Sequence, residues 1–294
     1  MDHWFTDVAA HTLRPKTLES YEGMIRLHIK PDIGHVKLTS LRADHLQALY
    51  SKKLADGYSR RTVHYIHAII SRALSQAERW GLVPRNVARL AQPPSIQTPP
   101  PTFLTSEQVK QFLDAVKDKR FYPLYVLAIS TGMRKGELLG LYWEDVDFFT
   151  RTVHVRHAAQ ELVGKGVIIV EPKSEKSKRS IPAPGITMDV LWNYREKTGH
   201  TSGLVFRTKN GNPFRPRNFD REFKENLQLS GLPDMRFHDL RHTSASLMLI
   251  AGVHPKVVQE MLGHSQINLT LDTYSHILPV IQREAADKMD AILR

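Results

Sequence analysis

The chain has 294 residues, enough for two modest domains, and an apolar fraction of 41% argues against a disordered protein. Lys and Arg outnumber Asp and Glu by 41 to 30, giving a net charge of +11 and a pI near 9.8; such a field favours a polyanionic partner, nucleic acid first. No run of about 18 apolar residues marks a membrane span, the N-terminus MDHWFTDVAAHTLRPK has no apolar core behind a basic start, and the absence of cysteine rules out disulfides and thiolate metal sites.

In chain order, Leu18, Tyr21, Met24, Ile25, His28 and Ile29 recur at helical spacing until Pro31 and Gly34 stop the pattern. A second helix carries Leu46, Leu49, Tyr50 and Leu54 and ends at Gly57. A third opens near Ser59, with Val63, Ile66, Ile70, Ala73, Leu74 and Ala77 on one face. Its first turn holds Arg60, Arg61 and Thr62, cations and a hydroxyl where a helix N-terminus favours phosphate; a merely solvated turn reads equally well. The segment AQPPSIQTPPPTF (91–103) contains five prolines and cannot propagate a helix. We place a linker there, between a helical domain over 1–90 and a second domain over 104–294.

Thr105 and Gln108 form a capping-box pattern ahead of SEQVKQFLDAVKD. YPLYVLAISTGMRKGELLGL reads as a buried helix, a glycine break and a second helix. Three strands are expected next, RTVHVRH, GKGVIIVEP and RSIPA, the last two joined as a hairpin through the polar KSEKSK. Helices dominate the rest: RFHDLRHTSASLMLIAG ends at Gly252, and Pro255 opens another. The predicted fold is mainly α with a small antiparallel β-sheet, a helical domain followed by an α+β domain.

In HDLRH, His238 and Arg241 lie three apart and project on one side of a helix start, where imidazole and guanidinium can grip a phosphate. The spacing of His238 and His242 also suits a helical zinc pair, but no cysteine or well-spaced carboxylate completes it. Taken alone, His238 could simply end a helix. Around it, however, stand Arg134 just after a glycine break, Glu137 one turn on, Lys173 at the start of the polar turn, His264 after Gly263, and Tyr274 ten residues later.

The segments TGMRKGELLGL, PKSEKSKRSIP, HDLRHTSASLMLIAG and LGHSQINLTLDTYSH resemble the successive signatures of the tyrosine recombinase family, especially phage-type integrases. LRPKTLESYEGMIRLHIKPDIGHVKLTSL and YSRRTVHYIHAIISRALSQAERWGLVPRNVA resemble that family's core-binding domain, so the likeness spans nearly the whole chain. It implies a site-specific recombinase that cuts and rejoins DNA through a 3′-phosphotyrosyl bond. Tyr274 would be the nucleophile, and Arg134 and Arg241 would clamp the scissile phosphate. Lys173 would protonate the departing 5′ oxygen, although Lys165, Lys176 and Lys178 lie close by and stay open. His238 would act as general acid or base, His264 would bond the phosphate, and Glu137 would position Arg134 or a histidine. Lys135 joins Arg60, Arg61 and Thr62 as a candidate DNA contact.

The resemblance implies no cofactor and no metal. It implies double-stranded DNA core sites as substrate, a tetramer on paired DNA, accessory DNA-bending proteins as further partners, no membrane, and a cytoplasmic setting. The tail LPVIQREAADKMDAILR (278–294) reads as an amphipathic helix with Val280, Ile281, Ala285, Met289 and Ile292 or Leu293 as its stripe, expected to dock on a neighbouring protomer. The core-binding pattern begins near residue 1, so an arm-binding domain is expected to be missing. The alternatives are a type IB topoisomerase-like enzyme and a non-catalytic DNA-binding protein of the same fold.

Overall fold

The structure is a computed structural model that describes residues 1–96, 102–171 and 178–263, together with residues 283, 286, 287, 289, 290 and 293. The chain divides into two compact units, Met1–Pro99 and Pro100–Arg294.

The described part of the first unit is helical. Helix α1 is assembled from Asp2–Trp4, a π-helical turn Phe5–Ala9, and Ala10–Thr12. Helix α2 runs Pro15–Met24, widens to a π-helical turn over Ile25–Ile29, and continues as Lys30–Ile33. The expected stop at Pro31 is therefore corrected. Pro31 falls in the first turn after the wide one, where its missing N–H is not required, and the helix ends only before Gly34. Helices α3 (Ala43–Ala55) and α4 (Arg60–Arg79) complete the set, with Ser59 capping α4 by accepting from the Thr62 N–H at 3.1 Å. The predicted stripe of α4 is buried, joined by Ile69, against Ile25, Ile29, Leu46 and Tyr50.

In the second unit, Thr105 and Gln108 make both bonds of the capping box that starts α5 (Ser106–Ala115). Helix α6 (Tyr122–Thr131) is buried over most of its length and stops at Gly132, which turns left-handed at φ +63°. The short helix α7 (Lys135–Leu139) follows.

Among the described residues, five strands then make two antiparallel sheets rather than one. β1 (Val146–Asp147), β2 (Thr152–Val155) and β5 (Arg179–Pro182) form the first; β3 (Ala158–Leu162) and β4 (Gly166–Val170) form the second. The expected pairing of GKGVIIVEP with RSIPA is thus corrected. β4 turns back on β3 through Gly164 and Gly166, both at positive φ, while β5 pairs with β2, Ile181 opposite Val153. β3 escaped notice because AAQEL holds no β-branched or aromatic residue.

Helices α8 (Gly185–Thr198), α9 (Pro216–Leu229), α10 (Asp239–Ile250) and α11 (Pro255–Leu262) finish the described unit. Phe112, Tyr125, Phe219, Phe223 and Phe237 cross edge-on or tilted at the centre of its core, with Phe219 and Phe237 centroids 4.7 Å apart. Helix α10 joins α11 through Ala245, Leu249, Val258 and Leu262. The mainly α reading with antiparallel sheet therefore holds, with the single sheet divided in two.

Candidate active site

Helix α7 starts the site. Its N-cap is Arg134, whose backbone N–H and Nη1 both donate to the Glu137 carboxylate at 2.8 Å. A glycine is needed just upstream: a Cβ on Gly132 would stand 2.5 Å from Leu262 Cδ2, and its φ already disfavours other residues. Gly136 and Gly140 press their Cα faces on β3, where a Cβ would meet the Ala159 carbonyl oxygen at 2.9 Å and the Ala159 nitrogen at 2.7 Å. Two sequence-distant contacts then fix the helix, one to α11 and one to the β3–β4 hairpin.

Glu137 is buried and serves two arginines. Arg179, the first residue of β5, approaches from the other side, its Nη2 2.9 Å from Oε2 and its Nη1 3.1 Å from Oε1. Burial pushes the Glu137 carboxyl up, but hydrogen bonding and charge from Arg179, with charge from Arg134, outweigh it and hold the pKa below the usual range. The carboxylate is therefore a fixed anion that orients guanidinium groups rather than an acid that exchanges protons.

The C-terminal end of α11 gathers three arginines on three successive carbonyls. Arg179 Nε donates to Met261 at 2.7 Å, Arg241 Nη2 to Leu262 at 2.7 Å, and Arg134 Nη2 to Gly263 at 3.0 Å. The last carbonyls of a helix have no partner within it and carry the negative end of its dipole, so cations gather there. Arg241 also donates through Nη1 to the Gly132 carbonyl at 2.7 Å, tying the turn before α7 to α11. Of the three, Arg134 is the open one: its side chain is 38% exposed, against 7% for Arg179, and Arg241 as a residue is 4% exposed. Arg134 and Arg241, 107 positions apart in sequence by their numbering, thus meet on the adjacent carbonyls of Gly263 and Leu262.

His238 opens α10, with its ring perpendicular to that of His242 at 5.3 Å. Although the residue keeps an open edge, crowding of the ring and then the charge of Arg241 lower its pKa to about 4. At neutral pH it is an uncharged imidazole. Among the described residues no group of three or more His, Asp or Glu is placed to hold a metal ion.

Lys135 points elsewhere, its ammonium 2.6 and 2.8 Å from the Asp220 carboxylate on α9. In the first unit Arg60 and Arg61 are exposed, while the Thr62 hydroxyl is engaged with Ser59 at 2.9 Å. Lys173, His264 and Tyr274 lie outside the described residues, as do Val280, Ile281, Ala285 and Ile292 of the tail; Met289 and Leu293 are helical and exposed. Arg179 was missed in the sequence, where it reads as the polar edge of a strand. The signal that could have found it is its place two residues before the apolar Ile181, on the same face of the strand.

Comparisons with known proteins give the family and the fold. The model of the phage integrase family matches residues 102–279, and that of the phage integrase N-terminal SAM-like domain matches residues 1–54. A XerC-like tyrosine recombinase of Caldanaerobacter subterraneus subsp. tengcongensis is 29% identical, over 99% of this chain and 81% of its own length. The ICEBs1 integrase of Bacillus subtilis is 26% identical over 95% of this chain and 76% of its own. Among solved structures, the Tn1549 transposon integrase in complex with transposon right end DNA superposes with a TM-score of 0.84 at 22% identity, covering 97% and 98% of the two chains. A lambda integrase tetramer bound to a Holliday junction superposes with a TM-score of 0.71 at 20% identity, covering 92% and 75%.

Proposed function

We infer the chemistry from one premise: the chain belongs to the phage integrase family, and it is a tyrosine recombinase, an enzyme of DNA strand exchange. Its substrate is DNA. The observation that carries the proposed roles is the meeting of Arg134 and Arg241 at the end of α11, one open and ionically fixed, the other buried and tied to two carbonyls.

Two guanidinium groups held this way can take the non-bridging oxygens of a scissile phosphate without reorganising as charge builds in the transition state. Tyr274 attacks phosphorus through its phenol oxygen, the 5′ oxygen leaves, and Lys173 gives that oxygen a proton. The products are a 3′-phosphotyrosyl bond and a free 5′-hydroxyl. A 5′-hydroxyl from a second duplex then attacks the same phosphorus, releases Tyr274 and restores the phosphodiester. His264 bonds the phosphate from the position next to Gly263.

His238 enters as a neutral imidazole, so in the free protein it can accept the phenol proton but has none of its own to give as an acid. An incoming phosphate places negative charge beside the ring and raises its pKa toward the working range. The base thus becomes effective when DNA is in place. Arg60 and Arg61 at the start of α4 contact phosphates away from the cut, an assignment supported by their exposure and by the helix end they occupy.

For assembly we propose a tetramer on paired duplexes in a cytoplasmic setting, with the tail over 278–294 docking on a neighbouring protomer; the exposed Met289 and Leu293 support that use. One experiment tests the reading. Nicked duplexes with a randomised core, incubated with the protein and washed in SDS, should leave a covalent adduct. Tyr274→Phe should leave none, and an adduct surviving in that variant refutes the nucleophile. Native gels of the retained duplexes should show paired complexes; single-duplex complexes alone would defeat the tetramer.

A further inference from the structure

We propose that Arg179 is a positioning residue for strand cleavage: it takes up the charge of Glu137 and so leaves the charge of Arg134 for the phosphate. The inference rests on the tyrosine recombinase reading given above.

The charge count makes the case. Arg134 and Glu137 by themselves are a neutral pair, since the carboxylate accepts from both the Nη1 and the backbone N–H of Arg134. A neutral pair attracts a phosphate weakly. With Arg179 on the second edge of the same carboxylate, the trio carries a net positive charge, and the exposed member of the trio is Arg134. Arg179 is buried with Glu137, so solvent does not screen that transfer of charge.

Geometry adds a second hold. Arg179 Nε fixes the Met261 carbonyl, two residues before the Gly263 carbonyl that receives Arg134 Nη2. The contact is close, for a Cβ on Gly263 would stand 3.1 Å from Arg179 Cδ and Nη1. Both groups that orient Arg134, the Glu137 carboxylate and the end of α11, are therefore held by Arg179. It lies 45 positions from Arg134, on a strand of the sheet, and it reaches the phosphate only through its neighbours.

Arg179→Met and Arg179→Lys, each with and without Glu137→Gln, test this. The substrate is the nicked duplex that the wild-type protein retains as an SDS-resistant adduct from a randomised pool. It is made with either the ordinary scissile phosphate or a methylphosphonate, which lacks the charged non-bridging oxygen. Adduct formation is timed at saturating DNA, beside the DNA dissociation constant and the thermal midpoint. Arg179→Met should slow adduct formation by about 100-fold on phosphate, with DNA affinity within a few-fold of wild type. The defect should shrink on methylphosphonate and be partly relieved by Glu137→Gln, which removes the uncompensated anion.

Arg179→Lys, which keeps the charge but not the fork, should lose roughly tenfold, and it carries the comparison if Arg179→Met does not stay folded. A folded variant slowed equally on both linkages, or not slowed at all, overturns the proposal. Failure of the wild-type protein to form any adduct overturns the nucleophilic reading itself, and this inference with it, before any Arg179 variant is examined.

Discussion

Arginines end up in opposite circumstances at two helix ends of this protein. At the start of α4, Arg60 and Arg61 stand exposed in the first turn, at the positive end of the helix dipole. At the end of α11, Arg134, Arg179 and Arg241 are anchored on backbone carbonyls, and two of them are buried. An exposed cation keeps its rotamer freedom and is screened by salt, so it contributes affinity. An anchored cation has lost that freedom during folding and meets the reacting group already oriented, so it contributes rate. On the proposed roles, the same side chain serves two purposes because the two helix ends offer opposite dipoles and opposite access to water.

The contrast breaks most severely at Arg241. Arg241→Met should leave the Gly132 and Leu262 carbonyls without their donor and cost about 2–4 kcal/mol of stability, read by denaturant unfolding, along with loss of the covalent adduct. Stability unchanged from wild type would mean that the carbonyl anchors do not hold the site. Next, Arg60→Ala with Arg61→Ala should leave unfolding untouched but weaken DNA binding by about tenfold and lower the salt slope of the affinity by about 2. An unaltered slope would remove both residues from the phosphate contacts.

The smallest effect concerns His238 and pH. Its folded pKa lies near 4, below the ordinary histidine value, so the unfolded chain binds more protons in between. The neutral ring's contribution to stability is complete above about pH 6.5 and is lost as pH falls toward 4. His238→Asn should flatten the stability profile in that window by on the order of 1 kcal/mol, given the ring's open edge. A profile equally steep in the variant would assign the slope to other groups.

Much of this was legible in the sequence, for reasons that differ by region. The stripe of α4, the capping box of α5 and the glycine break before Arg134 are local patterns, and each appears where periodicity and cap chemistry placed it. Arg134, Glu137 and Arg241 were singled out by order and spacing, and the structure brings them together. Arg179 was invisible because its partners, Glu137 and Met261, lie 42 and 82 positions away and only the pairing of β5 with β2 brings it to them. The partner of Lys135, Asp220, was equally remote. β3 was passed over because AAQEL holds no β-branched or aromatic residue and its buried positions, Ala159 and Leu162, do not alternate, and the continuation of α2 past Pro31 depended on a wide turn that no residue type signals.

The fit of α7 against β3 has a mechanical consequence for the proposed leaving-group acid. Whatever path residues 172–177 take, both flanks of that segment are moored to this one short helix. On one side β4 is laddered to β3, whose backbone lies against Gly136 and Gly140; on the other, Arg179 is bound to Glu137. The described ends of that segment and Arg134 therefore share a mount, so a displacement of α7 carries both of them with it.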